Sequence, residues 1–401
     1  MKSSISLTLI KVCNRKAKET MKASLQFSIM KCSLVLFLVV MTFLEGNAQK
    51  EDYQWMSNLW SIDDCSQSNF PENCNASILD FNTDPPTVYR EPSATLDMDW
   101  THASICDNDG QLLLYSNGMS IHGSNHTPII DGDTISFGPN WAKNTWLNEN
   151  NEIRSRGFLG VNCSVFVPVP DYKNRYYLIY YNFDDFFVND GIRKLYAEIE
   201  VTNNEPRIIR KDVVLANSIS EAGYTSCAQH ANGRDWWLLQ FSRDTVFSYL
   251  IDPSGINLSH SSVLPFEIRN AQTSVVFDDK AEKFAAHQIY QSGEPDGAEL
   301  VIFDFDRCSG NLSNPLSTSL PSFDHFGSPG IAFSASGQYL YINDFFNFLQ
   351  YDVWSDDVFP SVDTVMIYNG QAFYDPSGNI LGPSLFGLTQ KGQTTRYMSV
   401  K

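Results

Sequence analysis

Motifs that announce chemistry are largely missing from this sequence. No two cysteines stand in a CxxC pair, which leaves a structural zinc ribbon or a thioredoxin-like redox site without support. There is no Gly-x-Ser-x-Gly elbow and no phosphate-binding glycine loop. The Asp-box of sialidase-like propellers is absent too, because Cys106 and Asn108 break its register in "SICDNDGQLL". Basic residues are scarce: 28 Lys and Arg stand against 46 Asp and Glu, for a formal charge of -18. A surface so acidic repels phosphate backbones and anionic headgroups, which excludes nucleic acid and anionic membrane as partners. Helical periodicity is almost absent, so a helical bundle is excluded as well.

Long apolar runs are confined to the beginning. In "MKASLQFSIMKCSLVLFLVVMTFLEGNAQ", Lys22 and Lys31 precede the apolar stretch from Ser33 to Leu44, and small residues follow up to Gln49. This is the pattern of a secretory signal peptide cleaved near Gln49, with translation starting at Met1, Met21 or Met30. The run is short of the roughly 20 residues that a membrane span needs, so no stable span is expected after cleavage. Cys32 precedes the run, which argues against a lipid-anchored cysteine at the cleavage site. Without residues 1–49 the formal charge falls to about -23. The expected location is the cell surface or the medium.

What the sequence does hold is β structure. Of 401 residues, 43% are hydrophobic and 13% aromatic, enough for a sizeable core. A unit recurs along the chain: a short strand, a polar turn, then an aromatic and aliphatic strand. Copies are "SICDNDGQLLLYSNG", "CSVFVPVPDYKNRYYLIYYN", "CAQHANGRDWWLLQFS", "SVVFDDKAEKFAAHQIY" and "IAFSASGQYLYIND". Spacings of roughly 40 to 65 residues fall in the range of propeller blades. A third alternating strand follows most copies, as in "RKLYAEIEV" and "ELVIFDFDRCSG". The expectation is an all-β fold, a β-propeller of about six to seven four-stranded blades forming one domain over residues 50–401.

The series "ILDFNTDPP", "ASICDNDGQLLLYSNGMSIHGSNH", "AQHANGRDWWLLQF", "VIFDFDRCSGNLSNP" and "IAFSASGQYLYINDFFNFLQYDV" resembles the N-terminal, WD40-like propeller region of large secreted Bacteroidota proteins. The resemblance covers about residues 75 to 395, and "HANGRDWW" and "FDFDRCSGNLSNP" are its most specific pieces. It implies an extracellular setting, PKD-type or other Ig-like modules further on, and a type IX secretion sorting domain, some of the gliding-motility type. One departure stands out. Where the family has an Asp-Gly turn and a further blade, "LFGLTQKGQTTRYMSVK" reads "GQTTR" and the sequence stops. Either the last blade is truncated, or residues 52–62 supply a strand that closes the ring.

Candidate sites are few. Asp107, Asp109 and Gly110 read as a hairpin turn rather than a calcium loop, since Gln-Leu-Leu-Leu-Tyr follows where further ligands are needed. His122 and His126 have metal-compatible spacing but no third ligand nearby, so no metal site is assigned and neither calcium nor another cofactor is expected. Cys227 and His230 share one strand, poor geometry for a catalytic pair; His230 reads as a core histidine. Asp304 and Asp306 share a strand face and would suit glycoside hydrolysis only across a pocket, so turn hydrogen bonding is the stronger reading. No catalytic residue is assigned. Asp184, Asp185, Phe186 and Phe187 in one loop, and Asp344, Phe345 and Phe346 in another, mix aromatic and acidic groups as binding surfaces do. Cys65 and Cys74 bracket a short polar loop and form the disulfide candidate; Cys106, Cys163, Cys227 and Cys308 read as buried apolar residues. The leading functional expectation is a non-enzymatic binding or adhesion scaffold for an extracellular protein or glycan. Alternatives are a propeller hydrolase or lyase acting on polysaccharide, and a structural part of a gliding or secretion apparatus.

Overall fold

The computed structural model describes residues 53–57, 76–94, 96–98, 101–147, 153–155, 157, 163–182, 192–219, 225–268, 274–290, 297–320, 330–343 and 347–367, all within the unit Lys50–Lys401. They form a β-propeller. Blade 1 holds β1 (Gln54–Ser57), β2 (Ala76–Asp80) and β3 (Thr87–Glu91), and blade 2 holds β4 (Ala103–Cys106), β5 (Leu112–Ser116) and β6 (Ile121–Gly123). A short helix, α1 (Pro139–Lys143), and a hairpin of β7 (Thr145–Leu147) and β8 (Ile153–Ser155) follow. Blade 3 is β9 (Val165–Pro168), β10 (Arg175–Asn182), β11 (Ile192–Thr202) and β12 (Glu205–Ile219). Blade 4 is β13 (Ser226–Gln229), β14 (Trp236–Asp252) and β15 (Gly255–Ile268). Blade 5 is β16 (Ser274–Phe277), β17 (Lys283–Tyr290), β18 (Gly297–Asp306) and β19 (Asn311–Leu320). Blade 6 is β20 (Gly330–Phe333), β21 (Tyr339–Asn343), β22 (Asn347–Asp352) and β23 (Asp363–Ile367).

Among the described residues every strand pairing within a blade is antiparallel and follows chain order, so each blade is a meander. The first strands of successive blades lie against one another, β4 on β9, β9 on β13, β13 on β16 and β16 on β20. They form the inner wall. In blade 4, one extended run does the work of two strands: Trp236–Leu239 pair with β13, whereas Arg243–Asp252 pair with β15. Arg243, at φ 53°, sits where the pairing changes. β1 bears on the closure expected from residues 52–62. It pairs with β2, and so serves as the inner strand of blade 1.

The turns account for a recurring group of aspartates. Asp107 Oδ1 accepts the backbone N–H groups of Asp109 and Gln111, each at 2.9 Å, while Gly110 takes φ 81°. That carboxylate oxygen is engaged by its own turn, as the hairpin reading requires. Asp278 does the same for Glu282 and Lys283, and Asp252, Asp306 and Asp352 each accept an N–H two residues on. The outer strands β12, β15 and β19 each carry a proline, Pro206, Pro265 and Pro315, which cannot donate to an added strand and so guards the edge.

The core lies between blades. Leu239 and Phe241 of blade 4 pack with Phe277, Phe284 and Phe303 of blade 5, and the Phe241 and Phe284 rings stack at 5.3 Å. Leu238 and Trp236, on the opposite face of the same strand, pack with Val165, Val167 and Ile179 of blade 3. Each buried Phe or Leu contributes about 1.5 to 3 kcal/mol relative to exposure. Blade 5 also grips blade 4 through a turn. The Trp237 indole donates to the Arg307 carbonyl at 2.8 Å, and Arg307 Nε donates to the Gln229 carbonyl at 2.9 Å.

Gly310 lies against that indole at φ 74°, and a Cβ there would stand 2.6 Å from the ring. We expect Gly310→Ala to destabilise the protein by about 2 kcal/mol or more, through clash and left-handed strain together. Gly233, at φ 72° with no atom near its missing Cβ, is the control, and its alanine variant should lose about 1 kcal/mol. Urea unfolding of both variants measures the difference, and equal losses would show that the indole contact imposes no constraint.

Candidate functional site: the polar end of the ring

One end of the ring collects buried polar groups. First strands begin there with hydroxyls: Ser164, Thr225, Ser226 and Ser274 are each less than a tenth exposed. Second strands carry or lead into amides there: Asn117, Asn182, Gln240, Gln288 and Asn343 are all buried. The register puts the two sets together, since Ala103 pairs with Ser116, Ser226 with Leu239, Ser274 with His287 and Gly330 with Asn343. The opposite end is where the self-bonded aspartate turns lie. The amide is legible in the sequence as the residue closing each aromatic strand, in "LYSN", "IYYN", "LLQ", "AHQ" and "LYIN", and it was overlooked among the stronger apolar signals.

These groups do different work. Asn117 is saturated: Nδ2 donates to the Asp97 carbonyl and to Ser155 Oγ, and Oδ1 accepts from Met119 and Ser120 N–H. It fixes a turn. Between blades 3 and 4, Gln240 Oε1 accepts from Tyr181 Oη at 2.8 Å and from the Nζ of fully buried Lys194. That Nζ also sits 5.1 Å from the centre of the Tyr181 ring. Burial lowers the Lys194 pKa to about 7, partly opposed by Cys227 and Cys163 nearby, and burial pushes the Cys163 thiol up to about 12. Between blades 5 and 6, His287 is 1% exposed and neither ring nitrogen has a hydrogen-bond partner among the described residues. Burial lowers its pKa to about 4, so the imidazole is neutral at neutral pH. Sequence reading passed over both Lys194 and His287, since each is a lone residue in an ordinary strand pattern.

The residues singled out in the sequence fall elsewhere. Asp184, Asp185, Phe186, Phe187, Asp344, Phe345 and Phe346 lie outside the described residues, as do Cys65 and Cys74. Cys106, Cys163 and Cys227 are buried, but Cys308 is exposed, a correction that follows from its place in the turn after Asp306. His122 and His126 are buried in a structural cluster: His122 Nδ1 lies 3.3 Å from the His126 carbonyl oxygen, and His126 reaches Tyr115 at 3.2 Å and Glu91 at 3.6 Å. Among the described residues no group of three or more His, Cys, Asp or Glu side chains is placed to hold a metal ion. His230 is half-buried in a turn rather than in the core, and its Nδ1 accepts the Asn232 N–H. Asp304 pairs with Lys283 and Asn314, and Asp306 bonds the turn at Cys308 and Ser309, so both carboxylates are structural.

No family model matches the chain, and no curated protein matches it. Solved structures do. A Bacteroides fragilis protein provisionally assigned as a 6-phosphogluconolactonase is 9% identical with a TM-score of 0.40, over 78% of this chain and 81% of that one. A Bacteroides uniformis protein with the same provisional assignment is 12% identical with a TM-score of 0.36, over 78% and 97%. The β-propeller domain of Nup133 from Vanderwaltozyma polyspora is 10% identical with a TM-score of 0.32, over 70% and 86%. The expectation of a non-enzymatic adhesion scaffold is corrected against this set, in which two propellers carry a provisional lactonase assignment and none of the three is an adhesion module, statements that hold for those proteins alone. At such identities and TM-scores, the likeness says nothing of this chain's own chemistry.

Lys194 yields a pH-dependent stability. Between pH 7 and 10 the unfolded chain holds a proton on this amine that the folded chain has lost, so the residue's contribution to stability rises with pH across that window. Lys194→Met should therefore stabilise the protein most at pH 6, with the advantage shrinking by about 1 kcal/mol per pH unit between pH 7 and 9. Urea unfolding of both proteins at pH 6, 7.5 and 9 tests this. A constant difference would mean that Lys194 does not titrate in that range.

Proposed function

We propose that this protein is an exported propeller hydrolase that binds a small, polyhydroxylated substrate at the polar end of its ring and opens an ester or lactone bond. The observation that supports this most is the convergence of hydroxyl, amide, amine and imidazole groups from successive blades on one end. A sugar-like molecule presents alternating donors and acceptors, and the uncharged hydroxyl, amide and imidazole groups match them without the desolvation penalty of charge. Of the carboxylates considered for glycoside cleavage, Asp304 is paired with Lys283 and Asn314 and Asp306 is engaged by its own turn, so an acyl bond is the better-matched target than a glycosidic one. The leader and the resemblance to secreted Bacteroidota propellers favour action outside the cytoplasm, in a chain related to those bearing Ig-like modules and a type IX sorting domain.

The test is a pH-stat assay of the purified chain against aldonolactones, acylated sugars and unmodified polysaccharides. Base uptake above the spontaneous rate is expected with the first two and not with the third. Turnover of none of them would overturn the reading, and cleavage of polysaccharide alone would return the carboxylates to consideration.

A further inference from the structure

We infer that Ser274 and His287 form the nucleophile and general base of this site, an inference that rests on the hydrolase reading above. The placement follows from register. Ser274 on β16 and His287 on β17 are direct cross-strand partners, as are Val276 and Ala285 two residues along. Partners of this kind hold their Cβ atoms about 4.5 to 5.5 Å apart on one face of the sheet. The face is known: Val276 and Ala285 pack against Ile331, Phe333, Leu340 and Ile342 of blade 6. By strand alternation, Ser274 and His287 point into the same seam, at the polar end of the ring.

The backbone of Gly330, first residue of β20, partly offsets the effect of burial on the imidazole. A hydroxyl and an imidazole side by side on one face are the parts of a nucleophile and its base. Pairings of this kind are commonly loose before substrate binds. The imidazole has no hydrogen-bond partner among the described residues, and that is itself informative. A buried polar group without a partner costs about 1 to 3 kcal/mol, and such local violations concentrate where function requires them.

The chemistry balances without any further reactant than water. His287 accepts the Ser274 hydroxyl proton as Oγ bonds to the acyl carbon, and the C–O bond to the leaving alkoxide breaks as that oxygen takes the proton from His287. Water then repeats the sequence on the acyl-serine, releasing the acid and regenerating the hydroxyl.

A fluorophosphonate probe, which phosphonylates activated serines, tests the pair on the full chain, with the labelled site read by peptide mapping and lactone turnover measured in parallel. Labelling at Ser274 is expected, abolished in Ser274→Ala and slowed at least 100-fold in His287→Gln, with both variants retaining the wild-type melting transition. Should either variant fail to fold, Ser274→Gly and His287→Asn take its place in the same assay. Labelling elsewhere, or equal labelling in the His287 variant, overturns the pair. Lactone turnover that persists in Ser274→Ala refutes the pair and leaves the hydrolase reading standing. Labelling at Ser274 that depends on His287, without turnover of any lactone or ester, sustains the pair and removes the substrate reading.

Discussion

The structure depends on burying both faces of every interior sheet against its neighbours. Strand alternation sends Leu238 toward blade 3 and Leu239 toward blade 5, and neither face alone encloses a core. No such blade holds its hydrophobic surface by itself, so stability is a property of adjacent pairs. This accounts for the aromatic weight of the second strands, because seams between twisted sheets are wide and Phe, Tyr and Trp fill them. It also accounts for the locks at the rim of the seam, where the Trp237 indole, the Arg307 carbonyl and the absent side chain of Gly310 fit one another.

Much of this was legible in the residues. The recurring strand, polar turn and aromatic strand became the first and second strands of blades 2 to 6, and the "DNDG" stretch became a hairpin turn. The two motifs with the most specific resemblance, "HANGRDWW" and "FDFDRCSGNLSNP", meet in space through Trp237 and Arg307. Sequence reading saw each motif and not their contact, since a link across 70 residues has no local signature. The insertion after blade 2 was also opaque. Its Ile130 bridges in parallel to Arg207 on the edge of blade 3, and Lys211 donates to the Asp131 and Thr134 carbonyls, contacts that no periodicity announces.

The site was the least legible part, for a physical reason. Sequence search favours charged and metal-binding residues in clusters, and here those residues are structural: Asp304 paired with Lys283, Asp306 in a turn, His122 and His126 in a packed cluster. The groups that gather at one end of the ring are single residues from distant strands, brought together by register. Gln240 and Lys194 stand 46 positions apart, and each looks ordinary within its own strand.

The two ends of the ring therefore carry different burdens. Where strands turn from first to second, aspartate and asparagine side chains close on their own backbone, and the chain needs nothing further to satisfy them. Where first strands begin, the polar groups are held by neighbouring blades, as Gln240 is by Tyr181 and Lys194, or have no partner among the described residues, as with His287. A ring can keep one end self-sufficient and leave unmet hydrogen-bonding capacity at the other only because the interblade seams, and not the end groups, hold it together. That separation lets polar chemistry collect at one end while the stability of the propeller resides elsewhere.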